Sequence, residues 1–111
     1  IDRHQHFDVI VIDPPSFAPN SASVPAARRA YRRLTSLAVA LLASGGTLVQ
    51  ASCSSRIPAD EFYALVTGEI AENDHKAIHT IRTGHALDHP IGFEQGAYLK
   101  AVLADVVPAF R

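Results

Sequence analysis

Apolar residues along this chain fall into blocks whose spacing alternates between that of strands and that of helices. The first block, from about Phe7 to Ile12, is a continuous run of aromatic and β-branched residues. Such a run is typical of a strand that is covered on both faces of its sheet. Asp13 ends the block and is followed by Pro14 and Pro15, which fix φ and donate no backbone hydrogen bond. The pattern predicts a buried strand with a carboxylate at its carboxyl end, on a stiff loop.

The next block has helical spacing. Its N-cap is predicted at Ser23, with Pro25 in the first turn, and its end at the pair Gly45–Gly46. The predicted apolar face consists of Ala27, Tyr31, Leu34, Leu37, Ala38, Leu41 and Leu42.

The rest of the chain continues the alternation. "GTLVQAS" predicts a second strand, and a second helix is expected from near Pro58, where Asp60 and Glu61 favour the positive end of its dipole. "HKAIHTIR" and "AYLKAVLADV" predict two more strands, which we expect to be antiparallel because no helical pattern separates them. Strands that alternate with helices indicate an α/β fold with a mostly parallel sheet, and we assign residues 1–111 to one domain.

The composition indicates a protein without internal disulfides, membrane spans or metal sites. The 111 residues carry a net charge of −1 and a single cysteine, so no internal disulfide can form and a reducing, cytoplasmic location is expected. No apolar run is long enough to cross a membrane. The histidine pairs at positions 75/79 and 85/89 lack a companion cysteine cluster, and no metal site is predicted. The chain contains no Met, and we expect it to begin inside a longer gene product.

Four arginines stand close together in the first predicted helix: Arg28, Arg29, Arg32 and Arg33. Their spacing of four residues forms a paired stripe on the helix surface. A stripe of this kind is either a solvated outer face or a patch that contacts phosphates. The sequence leaves both interpretations open.

Cys53 follows the second predicted strand and is flanked by Ser52 and Ser54. If the first two strands are parallel neighbours joined by a right-handed crossover, Asp13 and Cys53 face the same crevice. A lone cysteine is most often an inert small residue. Its position among hydroxyl groups at a strand end gives the interpretation as a nucleophile equal weight, since a thiolate needs polar surroundings.

Four segments taken together resemble a known family. "FDVIVIDPPSFA", "GGTLVQASCSS", "DHP" and "YLKAV" are similar, in order and spacing, to the carboxyl-terminal half of class I S-adenosylmethionine-dependent methyltransferases. Within that class they resemble the bacterial 23S rRNA 5-methylcytosine methyltransferases. The resemblance covers nearly all of the chain. It implies the carboxyl-terminal half of a Rossmann-like fold, with an antiparallel last pair of strands.

The resemblance also implies roles for individual residues. Cys53 would be the nucleophile that adds to cytosine C6, and Asp13 would hold the base and contact the cofactor, S-adenosylmethionine. Pro14, Pro15, Phe17 and Ser52 would line the substrate site, with Phe17 stacking on a base lifted out of its helix. The expected partner is RNA, specifically rRNA, contacted through the four arginines, and no membrane is involved.

The departures from the family keep other functions open. No G-x-G-x-x-G loop occurs in the sequence, so we expect weak cofactor binding by this chain. The family's strand that would pair with the other side of the first strand is also missing from the sequence, and we therefore expect a homodimer through this exposed edge. The alternatives are a methyltransferase acting on adenine or guanine, and a non-catalytic RNA-binding or dimerisation fragment. The roles of His89 and Lys100 are left undecided.

Overall fold

The computed structural model describes residues 5–14, 21–53, 57–83 and 100–109. Its strands are β1 (Phe7–Ile12), β2 (Leu42–Ser52), β3 (His75–Thr83) and β4 (Lys100–Pro108). Its helices are α1 (Val24–Leu41), which follows a short 3-10 turn at Ser21–Ser23, and α2 (Ala59–Glu72). The order of elements is that expected of an α/β fold, and the predicted fold class is confirmed.

The four strands form one sheet in the order β1-β2-β4-β3. β1 is parallel to β2, whereas β4 is antiparallel both to β2 and to β3. The predicted antiparallel pairing of the last two strands is therefore confirmed. β1 forms one edge of the described sheet, with β2 as its neighbour on one side.

Both described helices contribute to one hydrophobic core on one face of the sheet, which we call the covered face. Residues at alternate positions of β2 and β4 point into this core, because side chains of a strand alternate between the two faces. The rings of Tyr31 and Phe62 meet edge to face, with centroids 5.4 Å apart. Large, fully buried core residues are Tyr31, Leu48, Ile57, Phe62, Val66, Ile70, Val102 and Val106.

The opposite face of the sheet, which we call the open face, corrects one prediction about β1. The strand was expected to be covered on both faces, but Val9 and Val11 are 59% and 64% exposed. Only the alternate residues, Ile10 and Ile12, pack against the core. The reason is that both described helices pack on the covered face and β1 lies at the edge of the described sheet.

The end of α1 corrects a second prediction. The helix ends at Leu41, and Leu42 is already extended, with φ −77° and ψ 138°, so β2 begins four residues before the predicted "GTLVQAS". The two glycines lie inside the strand. A Cβ on Gly46 would lie 2.9 Å from the Ala43 carbonyl oxygen and 3.1 Å from that of Asp8. Gly46 therefore allows close approach of backbones, and Gly45 adopts a positive φ of 80°. Neither glycine terminates the helix.

The apolar face of α1 is also partly different from the prediction. Leu37 was expected in the core but is 53% exposed, whereas Thr35 is fully buried. Ser23 occupies the predicted N-cap position of α1 but makes no side-chain capping bond there. In α2, Asp60 and Glu61 lie in the first turn as predicted, after Pro58 at the N-cap position.

Candidate functional site

The pairing of β1 with β2 places Asp13 and Cys53 at the same edge of the sheet. Ile12 is paired with Gln50 in the parallel register, so Asp13 lies one residue and Cys53 three residues beyond that pair. The two positions therefore differ by about two residues, or about 7 Å, along the strand direction. Both residues are exposed, and the Cys53 thiol is free. A substrate approaching the carboxyl ends of these strands can reach both side chains.

A layer of buried polar side chains lies on the covered face directly beneath Cys53. The Tyr31 hydroxyl and Ser52 Oγ are 2.8 Å apart, and this bond joins α1 to the last residue of β2. One turn further along α1, Thr35 Oγ1 donates to Gln50 Oε1 at 2.8 Å, and Gln50 Nε2 donates to the Tyr31 carbonyl oxygen at 3.3 Å. These bonds satisfy polar groups that burial would otherwise destabilise.

Lys100 adds a charge to this layer. It begins β4, is paired with Ser52 in the antiparallel register, and is only 4% exposed. Its Nζ lies 6.0 Å from the centroid of the Phe62 ring, within the range of a cation–π interaction. The resemblance to known enzymes did not decide the role of this lysine. The structure places it beside the strand end that carries Cys53.

Two groups of this layer have perturbed acid–base equilibria. Burial lowers the pKa of the Lys100 ammonium, whereas the negative charge of a Cys53 thiolate acts in the opposite direction. Burial raises the pKa of the Tyr31 hydroxyl; its hydrogen bond with Ser52 opposes this, and the Cys53 thiolate adds to it. Both groups therefore lie within electrostatic reach of Cys53.

The arginine segment lies at the same end of the sheet as Cys53. α1 runs antiparallel to β2, and the Tyr31–Ser52 bond fixes this segment at the level of the strand end. Arg29, Arg32 and Arg33 are exposed. Arg28 instead donates from Nη2 to Glu61 Oε1 at 2.7 Å, and so fastens α1 to α2.

A shallow cleft of about 270 Å³ lies between the two helices and is lined by Arg28, Arg32, Glu61, Ala64 and Leu65. A larger cleft, of about 400 Å³, lies at the opposite end of the sheet, where β2 begins and β4 ends. Its lining includes His6, Val39, Leu42, His75 and Val106. None of the predicted site residues that the structure describes lines the larger cleft, so its size does not mark the site.

The open face has a polar group of its own. Thr47 Oγ1 donates to Asp105 Oδ1 at 2.7 Å, and His79 Nδ1 lies 3.0 Å from Asp105 Oδ2. His79 is at a β-bulge and has a positive φ of 51°, which is uncommon for a residue other than glycine. This group is several residues away from Cys53 along the sheet.

Two predicted site residues, Pro15 and Phe17, lie outside the described part of the chain. So do Ser54, which follows Cys53, and His89, whose role was left undecided. Pro14 is described and is half-buried next to the exposed Asp13. Within the described ranges, no three His, Cys, Asp or Glu side chains are grouped as metal ligands. No helix within those ranges is long and apolar enough to span a membrane.

Sequence reasoning missed the polar layer beneath Cys53. Tyr31 was assigned only to the apolar face of α1, and Thr35 and Gln50 were not singled out. A usable signal was present: Thr35 stands four residues after Tyr31, on the same side of a helix, and Gln50 interrupts the apolar run from Leu48 to Ala51. Polar residues on buried faces of adjacent elements are expected to bond to each other.

The sequence of this chain is similar to those of known ribosomal RNA methyltransferases. No protein-family model matches the sequence. Ribosomal RNA large subunit methyltransferase I of Shewanella amazonensis is 43% identical over 107 residues, which is 95% of this chain and 27% of that protein. A ribosomal RNA large subunit methyltransferase of Deinococcus radiodurans is 38% identical over 96 residues, 86% of this chain and 24% of that protein. The chain thus spans about a quarter of the length of the curated relatives it matches.

A solved structure shows the same arrangement of strands and helices. A candidate methyltransferase complexed with SAH superposes with a TM-score of 0.62 at 22% identity, covering 91% of this chain and 27% of that one. The fold is Rossmann-like, as in class I methyltransferases. At this level of identity the likeness concerns the fold alone, and the chemistry has to be argued from the residues of this chain.

Proposed function

We propose that this chain is part of the catalytic domain of an S-adenosylmethionine-dependent methyltransferase that modifies C5 of a cytosine in large-subunit rRNA. The relatives named as rRNA large subunit methyltransferases support the substrate class. The observation that carries the proposal is the position of Cys53, the single cysteine of the sequence, exposed at a strand end beside Asp13.

The proposed reaction begins with a thiolate on Cys53. Its sulfur forms a bond to cytosine C6, and the electron pair of the C5–C6 double bond moves toward C5, which becomes nucleophilic. When bound, S-adenosylmethionine would supply the methyl group that C5 takes up, and it would leave as S-adenosylhomocysteine. Removal of the C5 proton by a base then restores the double bond, while the bond between C6 and sulfur breaks and frees Cys53.

Asp13 is proposed to hold the cytosine ring in this reaction. Its exposed carboxylate can accept a hydrogen bond from the exocyclic amine of cytosine and share a proton at N3. Pro14 and Pro15 provide backbone carbonyls and a flat apolar wall, and Phe17 stacks on the extruded ring. Ser52 was predicted to line the substrate site, but it is 1% exposed and bonded to Tyr31, so its proposed role is to hold the backbone next to Cys53.

The cofactor is proposed to bind at the carboxyl end of β1. Ligands of Rossmann-like sheets bind outside the carboxyl ends of the strands, and Asp13 stands there with an exposed carboxylate that can accept hydrogen bonds. The fit is partial, because the sequence contains no glycine-rich cofactor loop. Asp13 is therefore the residue of this chain that we assign to cofactor binding.

RNA binding is proposed to use the exposed arginines of α1. Arg29, Arg32 and Arg33 lie at the Cys53 end of the sheet and are exposed, so they can contact the phosphates that flank the extruded base. Arg28 was also predicted to contact RNA. Because it is bonded to Glu61, its main role is proposed to be holding α1 against α2. With rRNA as the proposed substrate, the proposed location is the cytoplasm.

Covalent trapping tests the proposal. The protein that carries this chain is incubated with S-adenosylmethionine and large-subunit rRNA in which cytosine is replaced by 5-fluorocytosine. C5 then carries fluorine in place of the proton that the last step removes, so the bond between C6 and sulfur stays intact. We therefore expect a stable protein–RNA adduct that mass spectrometry maps to Cys53. Cys53→Ser should give no adduct.

Two outcomes would contradict the proposal in different ways. Methylated adenine or guanine in the RNA, formed equally well by Cys53→Ala, would assign the enzyme to another base. RNA binding without any methyl transfer would support the non-catalytic alternative.

A further inference from the structure

We propose that Arg82 is a second RNA contact, at the far edge of the described sheet from the exposed arginines of α1, so that RNA is held on both sides of Cys53. This inference rests on the proposed function, in which the protein binds RNA. It assigns a role to a residue near the end of β3 that neither the motifs nor the resemblance singled out.

The first argument is position. β4 is antiparallel both to β2 and to β3, so β2 and β3 have their carboxyl ends at the same edge of the sheet. Arg82 is paired with Val102, and Val102 is paired with Gln50. Arg82 thus lies two strands, or about 10 Å, across the sheet from Gln50, and Cys53 lies three residues, or about 10 Å, beyond Gln50 along β2. One RNA strand can therefore reach both residues within a few nucleotides.

The second argument is the way in which the guanidinium group is held. The Cζ atom of Arg82 lies 5.3 Å from the centroid of the Tyr63 ring, within the range of a cation–π interaction. The Tyr63 hydroxyl donates to the Thr83 carbonyl oxygen at 2.8 Å, so the ring is attached both to α2 and to the end of β3. Contact with the face of a ring uses none of the five N–H donors of a guanidinium group. The charge is thus held in one place with donors that suit phosphate oxygens.

The third argument is the absence of a neutralising acid. Arg82 is exposed. The ion pairs between described residues join Arg28 to Glu61 and His79 to Asp105, so no described carboxylate pairs with Arg82. Unlike the charge of Arg28, the charge of Arg82 is therefore available to an anion from solution.

The two sets of positive charge lie at different parts of the same sheet edge. α1 packs over β1 and β2, whereas α2 packs over β3 and β4. The exposed arginines of α1 thus stand on the β1 side of the edge, and Arg82 stands on the β3 side. RNA that contacts both sets must cross the carboxyl end of the sheet between them, where Cys53 lies. This arrangement supports the base that Cys53 attacks by phosphate contacts on either side of it.

RNA binding in the absence of S-adenosylmethionine tests the inference without methyl transfer. The protein that carries this chain is mixed with a transcript of large-subunit rRNA, and filter retention measures the affinity at several salt concentrations. Arg82→Gln should weaken binding about threefold to tenfold and lower the slope of log K against log salt by about 0.7–0.9, as expected for one lost phosphate contact. Lys76→Gln is the matched control, because Lys76 is also exposed on β3 but lies at its other end; it should change neither quantity.

Arg82→Lys separates charge from stacking. It keeps the positive charge but lacks the planar group that lies on the Tyr63 ring, so it should keep the salt dependence and weaken binding less than Arg82→Gln does. Both Arg82 variants should retain the circular dichroism spectrum of the unsubstituted protein. Normal affinity and normal salt dependence in Arg82→Gln would show a solvated arginine that only stacks on Tyr63, and would overturn the inference.

Phosphate ethylation interference with the unsubstituted protein does not depend on how a variant folds. The ethylated phosphates that block binding should fall into two groups, one on each side of the target base. Arg82→Gln should remove the interference of one group only, and the combined change of Arg29, Arg32 and Arg33 to Gln should remove that of the other. A single group of phosphates would overturn the inference.

These results can be told apart from failure of the proposed chemistry. If no adduct forms at Cys53, the nucleophile is refuted, while the two groups of phosphates still report on Arg82. If the adduct forms but only one group of phosphates is found, the role of Arg82 fails alone.

Discussion

The covered face and the open face of the same sheet differ in the burial and the hydrogen bonding of their side chains. On the covered face, polar side chains are buried, bonded to each other and placed beneath Cys53: Tyr31, Thr35, Gln50 and Ser52. On the open face, Val9 and Val11 are exposed. The bonded group formed by Thr47, Asp105 and His79 lies toward solvent.

This difference shows where the rigidity of the candidate site comes from. The side chains around Cys53 are held in place by the two helices that cover one face of the sheet. Any change that loosens α1 or α2 therefore also loosens the site. Changes on the open face should leave the site intact. The predictions below test that separation, beginning with the largest expected effect.

Truncation of a core ring should separate the two faces most clearly. Phe62 is fully buried and contacts Tyr31, so Phe62→Ala should reduce the free energy of unfolding by about 3–5 kcal/mol. Val11→Ala on the open face is the control and should change it by less than about 0.5 kcal/mol. Urea unfolding followed by circular dichroism measures both. Equal losses would show that the open face is covered in solution.

Self-association should depend on the open face and on the free edge of β1. An edge strand with exposed apolar residues tends to pair with another chain, and we propose a twofold dimer through β1. Val11→Lys should convert the dimer to monomer in sedimentation experiments, whereas Leu37→Lys, at an exposed position of α1, should not. A monomer at high concentration in the unsubstituted chain would refute this proposal.

The exposed arginines should affect RNA and not folding. Changing Arg29, Arg32 and Arg33 to Gln should weaken RNA binding and reduce the slope of log K against log salt by up to about 0.7–0.9 per lost phosphate contact. Arg28→Gln should instead lower stability by up to about 1 kcal/mol, because its partly exposed ion pair with Glu61 links the two helices. Unchanged RNA affinity in the triple variant would support the interpretation of the stripe as a solvated face.

The hydroxyl group of Tyr31 should matter to the site as well as to stability. Tyr31→Phe removes the bond to Ser52 and should cost about 0.5–1.5 kcal/mol. Tyr63→Phe removes a comparable bond, from the Tyr63 hydroxyl to the Thr83 carbonyl oxygen, and serves as the control. We expect only the Tyr31 variant to change the alkylation rate of Cys53. Similar rates in both variants would show that the Tyr31–Ser52 bond does not orient Cys53.

The smallest effect is expected from Asp105 on the open face. Hydrogen bonds from Thr47 and His79 lower the pKa of its carboxyl group. A carboxyl group with a lowered pKa in the folded state stabilises the protein above its unfolded pKa, and this stabilisation is lost as the pH falls through the folded value. The melting temperature of Asp105→Asn should thus lie below that of the unsubstituted chain at pH 7, and the difference should shrink at acid pH. A difference independent of pH would contradict this assignment.

The sequence predicted the elements and their directions well, because these depend on local pattern. The β1 run, the start of α2 at Pro58 and the antiparallel last pair all follow from spacing and from the presence or absence of a crossover helix. The end of α1 was not predicted, since Leu42 continues the helical apolar spacing and only the pairing of β2 draws it into a strand.

The candidate site was predicted in part. Asp13 and Cys53 were assigned to one edge because strand ends of a parallel pair meet there. The layer beneath them was not, because the partner of Tyr31 lies 21 residues away on another element. Such a bond depends on the packing of a helix against a sheet, which a single sequence does not encode in its periodicity. The burial of Lys100 depends on packing in the same way.

The position of β4 has a consequence for how the molecule is made. β4 is the last of the described strands to be synthesised, yet it lies between β2 and β3. While the chain is being translated, β2 and β3 each expose an edge that only residues 100–108 can fill. The described sheet can therefore close only after residues 100–108 have been translated, and Lys100 is paired with Ser52 in that same step. A nascent chain that stops before β4 should be a target for chaperones, and a ribosome-stalled series of increasing length should acquire protease resistance only after β4 has emerged.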